Sequence, residues 1–113
     1  MTATSPGSAA IDVDHLVSFT AGDSQLEREL FTLYLSTAEV YLVRMREAIG
    51  VDRDWCAAAH ALKGASANMG AVHVAALAAT AETVTPDGSA VDQLAAAVDD
   101  VRSFVDRRHT RVT

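Results

Sequence analysis

One segment of the sequence places a possible nucleophile beside a positive charge and a residue without a side chain. His60, Lys63 and Gly64 are spaced so that an α-helix places all three on one face. A neutral imidazole is a nucleophile near pH 7, and an ammonium group offsets negative charge. A glycine inside a helix costs about 1 kcal/mol relative to alanine. Because this face is not needed for packing, we expect Gly64 to let another molecule approach His60.

A metal site is the alternative interpretation of this segment. Cys56 and His60 are four residues apart, a spacing that can chelate zinc. No second pair of ligands completes a tetrahedral site in the sequence, so we predict no metal. Cys56, the single cysteine, is interpreted as a small buried hydrophobic residue.

Glu82 is predicted to lie beside His60, on the neighbouring helix of a helical hairpin. Gly70 marks the turn, and the two residues lie ~15 and ~18 Å from it at the rise of an α-helix, so they are roughly level. Glu82 is also the only charged residue between Val72 and Val84. We expect its carboxylate to accept the Nδ1–H of His60, which would leave Nε2 as the nucleophile.

The rest of the chain is predicted to form the helices that position these residues. Half of the residues are hydrophobic but only 5% are aromatic, and apolar residues recur at steps of three and four. Short connections favour antiparallel neighbours. The expected fold class is all-α, an up-down antiparallel four-helix bundle with a short additional N-terminal helix. The predicted helices span 11–19, Asp23 or Ser24 to Gly50, Asp52 or Asp54 to Gly70, 71–84, and Ser89 to beyond Val105.

The long second helix is predicted to bury a wide stripe. One apolar line runs from Phe31 to Ile49, and a second runs from Leu26 through Leu33 to Val40. The charged residues of this helix mostly avoid the first line. We therefore expect the second helix to contact several neighbours.

Length and charge indicate one domain and exclude several classes of protein. The 113 residues are divided into a disordered leader (1–10), a bundle domain (11–108) and a tail (109–113). The net charge of −6 argues against nucleic-acid binding. No window approaches the ~18 to 20 apolar residues of a membrane span, and no secretory signal is present. We expect a cytoplasmic monomer. Met1 and the short leader favour a free-standing protein over a domain cut from a longer chain.

The third helix resembles the signature of the histidine phosphotransfer (HPt) family. Residues 59–71 read AHALKGASANMGA, and the family pattern is His-x-Leu-Lys-Gly followed by small residues and an apolar-Gly pair. Ala65 stands where serine is common and Met69 where leucine is common. The resemblance extends over roughly Ile11 to Val105.

The resemblance implies a function and a set of roles. His60 would accept the phosphoryl group, Lys63 would offset its charge, Gly64 would admit the partner, and Glu82 matches a frequent Gln or Glu hydrogen-bond partner. The partners would be response-regulator receiver domains, with an aspartate and Mg²⁺, and a hybrid or sensor histidine kinase. The chain would be a carrier without kinase activity and without a cofactor of its own. The His60 face, with Leu16 and Phe19 of the first helix, is predicted to dock the receiver.

Two rival functions are considered, and the first of them keeps the same fold. A non-catalytic adaptor bundle would bind a partner without carrying phosphate, and a kinase dimerisation hairpin would adjoin a nucleotide-binding domain. His15, His73 and His109 are interpreted as structural or solvent-facing residues.

Overall fold

The computed structural model describes residues 10–109, and these form five α-helices. The helices α2 to α5 form a closed bundle, in which α3 packs on α2 and α4, and α5 packs on the same two helices. The short α1 packs on α2, so the predicted all-α bundle with an extra N-terminal helix is confirmed. No helix within this range is both long enough and apolar enough to cross a membrane. The helices are α1 (Val13–Thr20), α2 (Ser24–Glu47), α3 (Asp52–Met69), α4 (Val72–Ala81) and α5 (Gly88–His109).

The predicted leader and tail fall mostly outside the described residues. Residues 1–9 and 110–113 are not described, whereas Ala10 is buried and His109 ends α5. The domain boundaries therefore stay a prediction.

Two of the predicted helix caps are wrong by a few residues. Asp52 and Asp54 lie in the first turn of α3, where their carboxylates complement the helix dipole, and the N-cap position is Val51. At the start of α5, Ser89 is not the cap. Asp87 accepts a hydrogen bond from the backbone N–H of Ser89 at 2.9 Å, as a short polar side chain does when it starts a helix.

Ion pairs between α2 and α5 show that these two helices run antiparallel. Arg46 contacts Asp92 at 2.9 Å, and Arg102 contacts Glu39 at 2.8 Å. The later residue of α2 thus pairs with the earlier residue of α5. This direction is what an up-down bundle requires.

The core confirms most of the first predicted line of α2 but only part of the second, in which Leu30 is half-buried and packs on the core. Leu33 is 63% exposed and Val40 is also exposed, as is Ile49 at the end of the first line. The bundle supplies only α3 and α5 as extensive neighbours of α2, so its buried stripe is narrower than predicted. Leu35 of the first line is half-buried against the core. The buried members of this line are Phe31, Tyr34, Ala38, Leu42 and Met45.

The turn between α3 and α4 is fixed by α1. The backbone N–H of Asp12 donates to the carbonyl of Gly70 at 2.8 Å, and Nε2 of His15 donates to the carbonyl of Asn68 at 3.0 Å. Gly70 has φ 78°, and a Cβ there would lie 3.1 Å from the carbonyl oxygen of Asp12. Glycine is therefore required at the bend that brings α3 and α4 together.

The fourth helix is shorter than predicted. It ends at Ala81, and Val84 is exposed rather than part of a buried line. Pro86 disfavours helical backbone at the preceding residue, which limits how far α4 can continue. Glu82 is consequently the C-cap residue of α4 instead of an interior residue.

Candidate functional site

The rotation of α3 is set by the residues that it buries. Because α3 turns its buried residues towards the core, His60 on the opposite face points outward, and its side chain is 73% exposed. Ala57 and Ala67, one turn to either side of the His60–Gly64 segment, are exposed and small. The buried line is Trp55, Ala58, Ala59, Leu62, Ser66 and Met69.

His60 is held by Glu82 across the hairpin. Nδ1 of His60 lies 2.8 Å from Oε2 of Glu82, the contact expected from the hairpin geometry. The hydrogen bonds from His60 and then Lys63 lower the pKa of the Glu82 carboxyl below its ordinary value. An ionised carboxylate can only accept, so Nδ1 carries the hydrogen and Nε2 of the neutral ring keeps its lone pair. Nε2 has no hydrogen-bond partner among residues 10–109.

Lys63 shares the same carboxylate. Its ammonium nitrogen donates to Oε1 of Glu82 at 3.2 Å, and the side chain is 36% exposed. Glu82 itself is only 20% exposed, because the side chains of His60 and Lys63 lie against it. The three side chains therefore form one connected group on the surface of α3.

Gly64 has no structural reason to be a glycine. A Cβ at this position would have no atom within 4 Å, and the backbone does not have the positive φ found at Gly70. The fold has room for a side chain here and would gain helix stability from alanine. The open space beside His60 is what a glycine at this position provides.

Comparison with protein families identifies this arrangement. The model of the Hpt domain matches residues 29–104, which cover most of α2 and all of α3 and α4. The chain belongs to the Hpt domain family. No curated protein and no solved structure matches it. An Hpt domain has a phosphotransfer role as a phosphoryl carrier, and it interacts with receiver domains in phosphorelays.

Cys56 does not have the environment predicted for it. It is exposed on this Hpt domain, and its Sγ lies 3.3 Å from the carbonyl oxygen of Glu82. The prediction of a buried cysteine failed because Cys56 follows the buried Trp55 but lies at the edge of the α3–α4 contact. No group of three or more His, Cys, Asp and Glu side chains within residues 10–109 is placed to hold a metal ion.

The two residues of α1 that were predicted to dock the receiver differ in burial. Leu16 is fully buried, so its proposed place on a docking surface is wrong, whereas Phe19 is 44% exposed. Leu16 instead joins the core of the Hpt domain under α1. Val13 and Val17 are exposed on the same helix, and they were not singled out in the sequence.

Sequence patterns also missed the hydrogen bond of Trp55. Its indole N–H donates to the carbonyl of Ala81 at 2.7 Å, at the end of α4 and next to Glu82. The signal was the residue type, because a buried tryptophan usually finds an acceptor for its N–H. Only the packing of α3 on α4 determines which acceptor that is.

Proposed function

We propose that this Hpt domain carries a phosphoryl group on Nε2 of His60, and exchanges it with the aspartates of receiver domains. The observation that supports this most is the state of the imidazole. His60 is exposed, its Nδ1 is occupied by an ionised carboxylate, and its Nε2 has no hydrogen-bond partner among residues 10–109. This is the arrangement in which a neutral imidazole can act as a nucleophile towards a group on another protein.

The transfer step balances without a further reactant. The lone pair of Nε2 forms the N–P bond while the bond between phosphorus and the aspartyl oxygen breaks, and the aspartate leaves as a carboxylate. The ring becomes positively charged, and its Nδ1–H stays hydrogen-bonded to Glu82. The negative charge of Glu82 stabilises the charged ring, and the reverse step returns the group to an aspartate.

Lys63 and Gly64 serve the same step in different ways. Lys63 places a positive charge beside the site, where it offsets the negative phosphoryl oxygens. Gly64 leaves the surface open, so that the receiver and its aspartate can reach Nε2 at the in-line distance that phosphoryl transfer needs. The Mg²⁺ ion is expected on the receiver domain, and a hybrid or sensor histidine kinase is expected upstream.

Transfer from a radiolabelled receiver domain tests this function. The Hpt domain is incubated with a panel of phosphorylated receiver domains and Mg²⁺. We expect an acid-labile, base-stable label on the wild-type chain and none on His60→Ala. His73→Ala is the matched control, because His73 is also an exposed histidine, and it should take up label normally. Label on His60→Ala, or none on wild type from any receiver, would contradict the proposal.

A further inference from the structure

The end of α4 is attached to α3 by two donors that are adjacent in sequence. The indole N–H of Trp55 donates to the carbonyl of Ala81 at 2.7 Å, and the thiol of Cys56 lies 3.3 Å from the carbonyl of Glu82. The last carbonyls of a helix lack partners within the helix. These two donors from α3 therefore supply partners to consecutive carbonyls where α4 stops.

The two contacts attach α4 to α3 at the C-terminal end of α4, next to Glu82. Glu82 is the C-cap residue of a helix that spans only Val72–Ala81, and its N–H makes a last helical bond to Ala78 at 3.1 Å. Helix ends open more readily than helix interiors. An unattached end would let the Glu82 backbone move, and a hydrogen bond of 2.8 Å to His60 tolerates little movement.

We propose that Trp55 is a positioning residue for phosphoryl transfer: its N–H fixes the end of α4, so that Glu82 holds His60 in the Nδ1–H tautomer. This proposal rests on the carrier function of His60. Trp55 does not touch the reacting atoms. It binds the backbone carbonyl of Ala81, the residue before Glu82, whereas the side chain of Glu82 binds His60 further along α3. Glu82 is thus connected to α3 through both its backbone and its carboxylate.

Burial of the Trp55 ring would by itself stabilise the core without positioning Glu82. Trp55 is fully buried, so its ring contributes to packing whatever its N–H does. The two contributions can be separated because Trp55 is the only tryptophan in the chain. Biosynthetic replacement of tryptophan by 3-benzothienylalanine puts sulfur in place of the N–H at this one position and retains the shape of the ring. Replacement by 5-fluorotryptophan retains the N–H and is the matched control.

The first readout does not require phosphoryl transfer. Nitrogen-15 NMR of His60 at pH 8 reports which ring nitrogen carries the hydrogen. We expect the Nδ1–H tautomer to dominate in the wild type and in the fluorotryptophan chain, and to fall in the benzothienyl chain. The pKa of the Glu82 carboxyl, lowered by His60 and Lys63, should rise towards its ordinary value in the same chain.

The second readout is the transfer rate from a phosphorylated receiver. Loss of one hydrogen bond is expected to reduce it about 2- to 10-fold. Val101→Ala controls for lost stability, because Val101 is fully buried on α5. It should leave both the tautomer and the transfer rate unchanged.

The outcomes separate this proposal from the carrier function. An unchanged tautomer and an unchanged Glu82 pKa in a folded benzothienyl chain would overturn the positioning role, even if transfer is slower. Absence of label on the wild type would overturn the carrier function, and NMR would still decide whether Trp55 positions Glu82. Trp55→Phe is the second variant, since it also lacks the N–H, and it should give the same shift in tautomer.

Discussion

The His60 site and a second cluster, around Glu27, use the same kinds of side chain in different surroundings. In each, a glutamate lies between a basic side chain and a histidine. Glu27 accepts hydrogen bonds from Arg108 at 2.8 and 3.2 Å, and Nε2 of His109 lies 3.6 Å from its Oε1. The side chains of Glu27 and His109 are 2% and 8% exposed, whereas that of His60 is 73% exposed.

The two clusters differ in exposure, and exposure rather than residue type decides which histidine can react. Burial lowers the pKa of His109, so the ring is held neutral, but its Nε2 is buried and has no hydrogen-bond partner within the described chain. A receiver domain cannot reach that nitrogen. The same residue types therefore tie α2 to the end of α5 in one place and present a nucleophile in the other.

Transfer should fall most when a substitution blocks the approach of the receiver domain to His60. Gly64→Arg should leave a folded bundle with His60 in place, because nothing lies within 4 Å of a Cβ at this position. Transfer should fall about 100-fold or more, since a clash worth ~3 kcal/mol changes a rate by that factor. Receiver-dependent phosphorylation and circular dichroism measure the two properties.

Ala96→Arg is the control for this substitution. Ala96 is exposed on α5, which does not pack extensively on α3, so the added arginine should not affect transfer. Normal transfer by Gly64→Arg would show that the receiver does not need the open surface beside His60.

The next largest effects are expected from replacing the two glutamates, Glu27 and Glu82, by alanine. Glu27→Ala leaves Arg108 without its partner in a partly buried place, and should reduce the free energy of unfolding by about 2 kcal/mol. Its transfer rate should be normal while the chain is folded. Glu82→Ala should do the reverse, with a nearly unchanged urea midpoint and about tenfold slower transfer. Equal losses of stability in both variants would contradict the comparison.

The unfolding free energy should also depend on pH through Glu27, the buried glutamate. The hydrogen bond from Arg108 lowers the pKa of Glu27 below its ordinary value of 4.5, against the opposing effect of burial. Ionised Glu27 therefore contributes stability above pH 4.5, and this contribution is lost as the pH falls through the folded-state pKa.

Urea denaturation of wild type and Glu27→Gln measures this contribution. The difference in unfolding free energy should shrink as the pH falls below the ordinary carboxyl pKa. Glu47→Gln, at an exposed position of α2, is the matched control and should show no such pH-dependent difference. A constant difference across the acid range would show that the ion pair with Arg108 does not stabilise the fold.

The smallest effect is expected from the second histidine. His109→Leu removes a buried nitrogen that has no hydrogen-bond partner, so the unfolding free energy should change by less than about 1 kcal/mol. Its transfer rate should equal that of the wild type, whereas His60→Leu should transfer nothing. A loss of stability above about 2 kcal/mol would mean that His109 is a true partner of Glu27.

Predictions from the sequence succeeded where neighbours in space are also close along a helix or across a short hairpin. The face of His60, Lys63 and Gly64 follows from helical periodicity, and the contact with Glu82 follows from the position of Gly70 in the turn. They failed where a residue's environment depends on which helices pack on it. Periodicity does not reveal how many neighbours a helix has, and α2 exposes Leu33 for this reason.

Local spacing and the family signature were enough to predict the helices, the bundle and the surface that carries His60. The burial of Glu27 against Arg108, 81 residues away, and the hydrogen bond from Trp55 to Ala81, 26 residues away, could be seen only once the helices were packed together. Both contacts depend on how whole helices are rotated and shifted against each other. Those rotations minimise the exposed apolar surface of the entire bundle, so no short stretch of sequence contains them.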